Sequence, residues 1–173
     1  MISRLALALM ATASLAPLSA HAQETELNEL VVTAQKREEL LREVPQSVTA
    51  ITEETLERVQ ANDFMDYVGR VPGLTVVGDQ PGNQRLTLRG LNTGGISSTV
   101  GTYVDETPFG SSTSLVNAGV LALDLDPFDI QRVEVLRGPQ GTLYGAGSLG
   151  GLIKYVTVQP TPGAFGARVR ASA

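Results

Sequence analysis

Residues 132–151 read RVEVLRGPQGTLYGAGSLGG, and this stretch decides the fold. Val133 and Val135 alternate with Glu134 and Leu136, the period-two pattern of a strand. Gly138-Pro139 makes a turn. Glycines then recur through Gly151, and residues 152–158 (LIKYVTV) are β-prone again. A strand, a glycine-dense crossover and a second strand are therefore predicted, with the glycines permitting positive φ and close backbone packing. Gly145-x-Gly147-x-x-Gly150 matches the dinucleotide fingerprint in letters only. That fingerprint needs a helix behind it to hold a pyrophosphate and an acidic residue further on for the ribose. Here a strand follows, and after Asp129 only Glu134 is acidic. Nucleotide binding is excluded by context.

Upstream, short elements alternate with breakers. Residues 29–34 (ELVVTA) are a β-prone island, and residues 35–43 (QKREELLRE) are charged at most positions, as in a solvated linker or loose helical turn. Leu40 and Leu41 are expected to pack locally. Residues 47–51 read as a strand. Thr52 is an N-cap candidate for a helix over 53–60, with Glu53 and Glu54 at its positive end. Asp63 is expected to cap a second helix over 64–68, closed by Gly69. Strands are expected at 74–77, 85–89 and 100–104, with loops at 78–83, 92–98 and 106–115. Asp126-Pro127 starts a helical turn. Residues 164–173 (AFGARVRASA) alternate Phe165, Ala167, Val169 and Ala171 against Gly166, Arg168, Arg170 and Ser172. That pattern suits a membrane strand or an amphipathic strand of a soluble sheet.

Composition removes most catalytic chemistry. Arg4, the apolar run 5–16 and Ala20-His21-Ala22 form a secretory signal peptide over residues 1–22, leaving Gln23 first in the mature chain. The apolar run is shorter than the ~20 residues a membrane helix needs. The single histidine, His21, leaves with it, and cysteine is absent. No Cys–His pair, ordinary zinc site or disulfide is available, and a serine nucleophile lacks its usual base. No cofactor is indicated. The formal charge of −5 becomes −6 once Arg4 is removed, 12 basic against 18 acidic residues, with 5% aromatics. No nucleic-acid partner is expected of such a chain.

The segments together resemble the plug domain of TonB-dependent outer-membrane receptors. RVEVLRGPQGTLYGAGSLGGLIKYVT (132–157) is similar to the last plug segment and carries most of the resemblance. FMDYVGRVPGL (64–74) resembles the helix–PGL–strand unit, LTLRGL (86–91) the LRG strand, and VGTYVDETPFG (100–110) the strand with an aspartate before a substrate-side loop. ELVVTA resembles the TonB box. The order along the chain is the family's order.

The resemblance implies an α/β (α+β) fold: a small mixed four-stranded plug sheet with short helices and long glycine-rich loops. It implies a TonB box and flexible linker over 23–43, a plug over 44–159 and the start of a first transmembrane strand over 160–173. Glu29, Leu30, Val31, Val32, Thr33 and Ala34 would pair with the TonB C-terminal domain. Arg89 and Arg137, with Glu134 nearby, would contact the barrel wall. Asp79, Arg85, Asp105, Glu106 and Phe109 would lie in substrate-side loops, the substrate being a small chelate, by family default a ferric siderophore. The implied location is the outer membrane. Such a barrel needs some 22 strands, and at most one is present, so a receptor fragment is expected. The alternatives are a soluble periplasmic plug-only protein that binds TonB and, more remotely, an exported enzyme.

Overall fold

The computed structural model describes residues 30–80, 83–92, 98–109, 125–163, 165–167 and 169. The predicted signal peptide, Glu29, residues 93–97 of one predicted loop and 110–115 of another lie outside the described residues.

The predicted strand pair is the spine. β8 (Ile130–Arg137) and β9 (Gly151–Thr157) run antiparallel, pairing Glu134 with Lys154 and Leu136 with Leu152. β3 (Ser47–Thr52) adds antiparallel to β8, and β6 (Val100–Val104) adds parallel to β9. β7 (Thr107–Phe109) closes the far edge against β6, giving the order β3-β8-β9-β6-β7. The expected mixed sheet of about four strands is present, with this short fifth strand where a loop was expected.

Strand alternation divides the sheet into two apolar faces. Ile51, Val133, Val135, Ile153 and Tyr155 face one side and are buried with Leu56, Phe64, Tyr67, Leu74, Leu86 and Leu88. Those covering residues come from α1 (Glu53–Arg58), α2 (Met65–Val68) and the hairpin of β4 (Leu74–Gln80) and β5 (Asn83–Leu88). Thr52 caps α1 by accepting from the Thr55 N–H, and Asp63 accepts from the Met65 and Asp66 N–H groups. Gly69 has φ −62°, so α2 closes without the left-handed glycine cap that was expected. The predicted 78–83 loop is mostly strand: the ladder continues past a register shift between Val77 and Gln80.

The second face carries Leu136 and Leu152, with Val48 and Ala50 partly buried beside them. Residues 30–44 cover it. They include β1 (Val31–Val32) and β2 (Glu39–Leu40), paired antiparallel, and a 3-10 turn at Leu41–Glu43. The flexible tether expected here is instead packed down, because Val32, Ala34 and Val44 complete this second core. The glycine crossover contains a one-turn helix, α3 (Gly141–Tyr144), which sequence reading missed; buried Tyr144 anchors it. Of the predicted membrane strand, residues 165–167 and 169 carry no strand structure, and Phe165 is 97% exposed. A strand takes form only with a ladder partner to satisfy its backbone, and none pairs with these residues among those described.

Gly151 shows why the crossover needs glycine. Its φ is +145°, and a Cβ there would lie 2.2 Å from the Leu136 carbonyl oxygen and 2.5 Å from Leu88 Cδ2. Gly151→Ala is expected to destabilise the domain by at least about 2 kcal/mol. Urea unfolding checks this; an unchanged midpoint would contradict the packing.

Candidate functional site

Two charged side chains are fully buried in the adjacent central strands. Glu134 is 0% exposed and Lys154 1%. They are cross-strand partners on the second face, so both point into its core. Charges are tolerated there only when paired and hydrogen-bonded.

Their partners come from the N-terminal segment and two strand ends. The Thr33 N–H donates to both Glu134 carboxylate oxygens at 2.9 and 3.0 Å, and its hydroxyl lies 3.2 and 3.3 Å from the same pair. Arg132 Nε donates to Glu134 Oε1 at 2.7 Å. Lys154 Nζ donates to the Thr33 carbonyl at 3.3 Å and forms an ion pair with Glu106 Oε1. Both backbone groups of Thr33 are thus held by opposite charges. Val32 and Ala34, on either side of it, insert into the core against Leu136, Leu152, Tyr103 and Tyr144. Residues 30–34 form a short strip centred on β1, held on one side by β2 and by the turn that follows it, whose Leu41 N–H donates to the Leu30 carbonyl at 2.8 Å.

Two tyrosines close the pocket. The Tyr144 hydroxyl donates to the Ala34 carbonyl at 3.0 Å, and the Tyr103 hydroxyl donates to the Tyr144 carbonyl at 2.6 Å. Their rings meet edge to face at 5.1 Å, and Lys36 Nζ lies 5.4 Å from the Tyr144 ring centroid. Burial pushes the Tyr144 phenol up to about 12. The charge of Glu106 adds to this, a hydrogen bond from the Lys36 backbone opposes it, and Glu134 and Tyr103 contribute less. Tyr103 is raised by burial and by Glu106.

The remaining predicted residues fall at separate places. Asp105 and Glu106 form the β6–β7 turn. The Asp105 carboxylate accepts from the Thr157 N–H at 2.9 Å and its hydroxyl at 3.0 Å, lashing the ends of β6 and β9 together. They therefore lie at the end of the sheet opposite Gly151 and Gly138. Arg89 is at that other end: a Cβ on Gly138 would sit 3.1 Å from its Nη1. Arg137 precedes Gly138, and its Nε is buried with no hydrogen-bond partner among the described residues. Glu134 lies mid-strand on the opposite face from Arg137 and is engaged by Thr33 and Arg132, so the structure does not join it to the two arginines. Arg85 is half-buried on β5, Asp79 belongs to β4, and Phe109 on β7 is 45% exposed. Sequence reasoning missed Arg132, Lys154, Tyr103 and Tyr144. The available signal was one lone acid and one lone base in neighbouring apolar strands. No group of three or more His, Cys, Asp or Glu among the described residues is placed to hold a metal.

The profile of the TonB-dependent Receptor Plug Domain matches residues 40–152. The chain belongs to this family. A hemin receptor from Yersinia enterocolitica is 38% identical over 164 residues, covering 90% of this chain and 23% of the receptor. The vitamin B12 transporter BtuB from Vibrio vulnificus is 34% identical over 156 residues, 87% of this chain and 24% of the transporter. Among solved structures, the pyoverdine outer membrane receptor FpvA from Pseudomonas aeruginosa, bound to pyoverdine, superposes with a TM-score of 0.61 at 29% identity, over 76% of this chain and 18% of that one. The plug thus spans about a quarter of the length of the curated relatives it matches. These relatives are receptors and transporters, which removes the exported-enzyme reading: the plug is not an enzyme.

Two outcomes follow from the clamp. Glu134→Ala leaves the Arg132 guanidinium and the Thr33 N–H facing the vacated site, and a loss of about 3–5 kcal/mol is expected on urea unfolding; a loss under about 1 kcal/mol would show the carboxylate to be dispensable. The tyrosines give a pH dependence. Tyr144 is raised from an ordinary value of 10.0 to about 12, so the folded state favours the protonated phenol, which donates to Ala34. Its contribution is fully present below about pH 10 and lost as pH rises towards 12. Tyr144→Phe should flatten the fall in stability across that window, measured by thermal melts at stepped pH; an unchanged slope would count against the assignment.

Proposed function

We propose that the plug serves an outer-membrane receptor that takes up a scarce small substrate, and that residues 29–34 are its TonB box. The observation that carries this reading is the seating of residues 30–34: a β-capable strip whose backbone is held by side-chain charges and one short partner strand rather than by the main sheet. A strip held in that way is exchangeable. An extended segment that leaves its seat can add to the edge of a TonB sheet, where backbone hydrogen bonds give grip and alternate side chains give fit. Docking and TonB pairing compete, because Thr33 uses both its N–H and its carbonyl in the docked form. The apparent affinity for TonB is then the intrinsic affinity scaled by the released fraction.

The family and the names of the relatives support export by the 1–22 leader, an outer-membrane location and a surrounding barrel. Arg89 and Arg137 are proposed as barrel-wall contacts. The buried Arg137 Nε supports this, since a desolvated guanidinium calls for a carboxylate. Asp79, Arg85, Asp105, Glu106 and Phe109 are proposed as substrate-side residues. A ferric siderophore is the proposed substrate, supported by the likeness to a receptor solved with pyoverdine; a hemin receptor and a vitamin B12 transporter among the relatives make haem and cobalamin the competing classes.

Affinity capture of the TonB C-terminal domain by the full chain tests the TonB-box reading. Val32→Pro removes a backbone donor from the strip and is expected to weaken capture at least about tenfold, the loss of one or two strand hydrogen bonds. The same substitution loosens docking, which on its own would raise TonB access. Equal or stronger capture by Val32→Pro would therefore overturn the assignment.

A further inference from the structure

Four charges meet beneath Thr33, and their present pairing is one of two that the strands allow. Glu134 pairs with Arg132, and Lys154 pairs with Glu106. Among the described residues Glu134 and Lys154 do not pair with each other, although they are direct partners in the β8–β9 register. Side chains so placed start about 5 Å apart at Cβ, within reach of an ion pair.

We infer that Lys154 is a two-position switch and that Glu106 sets it. This rests on the reading of residues 29–34 as the TonB box for its meaning. With Glu106 in place, the Lys154 ammonium is drawn towards the β6–β7 turn. There it also holds the Thr33 carbonyl, and the Glu134 oxygens stay open to the Thr33 N–H. Without Glu106, Lys154 is a buried ammonium that has lost its acid. Its cross-strand partner Glu134 carries a carboxylate within ion-pair reach of that register position, and an unpaired buried charge is strongly driven to such a partner. Lys154 then leaves the Thr33 carbonyl and competes with the Thr33 N–H for the same oxygens. One rotation removes both charged holds on Thr33, leaving the strip to the β1–β2 ladder and the Tyr144 bond to Ala34.

Glu106 suits the setting role by position. Its side chain is 52% exposed, while the lysine it grips is 1% exposed. It leads directly into β7, a strand with all three residues exposed and, among the described residues, a partner on one side only. The turn before it is anchored by the hydrogen bonds of Asp105 to Thr157. A ligand or wall contact that peels β7 from β6 would withdraw Glu106 while Asp105 keeps β6 and β9 together. The hold on Thr33 would then be loosened with the sheet intact. Glu106 is thus a positioning residue for the docked state, acting through Lys154.

Amide hydrogen exchange at Thr33, measured by NMR on the full chain, tests this. The set is the unaltered protein, Glu106→Gln, Lys154→Met and the double variant. The amides of Val133 and Val135, in the core strand, report that each variant is folded. Glu106→Gln should speed Thr33 exchange about tenfold, the loss of a hydrogen bond to a charged acceptor. In the Lys154→Met background the same substitution should change exchange less than about twofold, because no ammonium remains to swing. A merely structural Glu106 would have equal effects in both backgrounds. No acceleration in Glu106→Gln, or an acceleration that persists in the double variant, overturns the switch. Capture of the TonB C-terminal domain by the same four proteins separates the two readings. If exchange follows this pattern and capture does not, the switch stands and the TonB-box reading falls.

Discussion

A carboxylate and an ammonium lie side by side in the middle of a five-stranded sheet, and much of the rest of the structure answers to that constraint. Neither can remain charged and dry without partners, and the sheet's own backbone is already committed to its ladder. The partners come from Arg132 on the same strand, from Glu106 at the β6–β7 turn, and from Thr33 in a segment a hundred residues away in sequence. The long-range order of the chain on this face is therefore dictated by two polar residues, while apolar burial by Val32, Ala34, Tyr103 and Tyr144 closes the seat around them.

The two faces of the sheet differ in kind. One is covered by helices and a hairpin through a continuous apolar core. The other is covered by an N-terminal strip whose polar contacts go to side chains and whose strand partner, β2, is two residues long. Packing of the first kind is lost only with the whole domain, whereas a cover of the second kind can open by itself, as sub-global openings do. Under the proposed function the two covers have different roles: a body that keeps its shape and a tether that can be handed to another protein. The division follows from which strand positions carry charge.

Much of this was legible in the chain. The β8–β9 unit was readable because Val133, Val135 and the 152–158 run alternate or branch as strands do, and the glycines between them demand close crossover packing. Thr52, Asp63 and Asp126 declared their caps. The errors have physical causes. β7 and the outer parts of β4 and β5 are strands because a neighbour supplies hydrogen bonds, and their Gly, Pro and Asp content suggests loops. Residues 35–43 are charged enough to resemble a free linker, and the position of Glu134 on the opposite face from Val133 shows part of why the segment is held. The family resemblance sets the acid beside Arg89 and Arg137. Its true neighbours, Thr33 and Arg132, required the register of three strands. Lys154 was visible as a lone base in an apolar run, and pairing it across to Glu134 would have located the site.

The central claim is that the strip at residues 30–34 occupies one seat at a time. The direct measurement is the Thr33 amide resonance of the unmodified chain during titration with the TonB C-terminal domain. If seats are exclusive, the docked resonance fades in step with binding, and the Thr33 amide in the complex no longer senses Glu134 or the Tyr144 ring. A complex that forms at full occupancy while the docked Thr33 resonance and its protection persist would contradict the claim and place the TonB contact elsewhere on the plug.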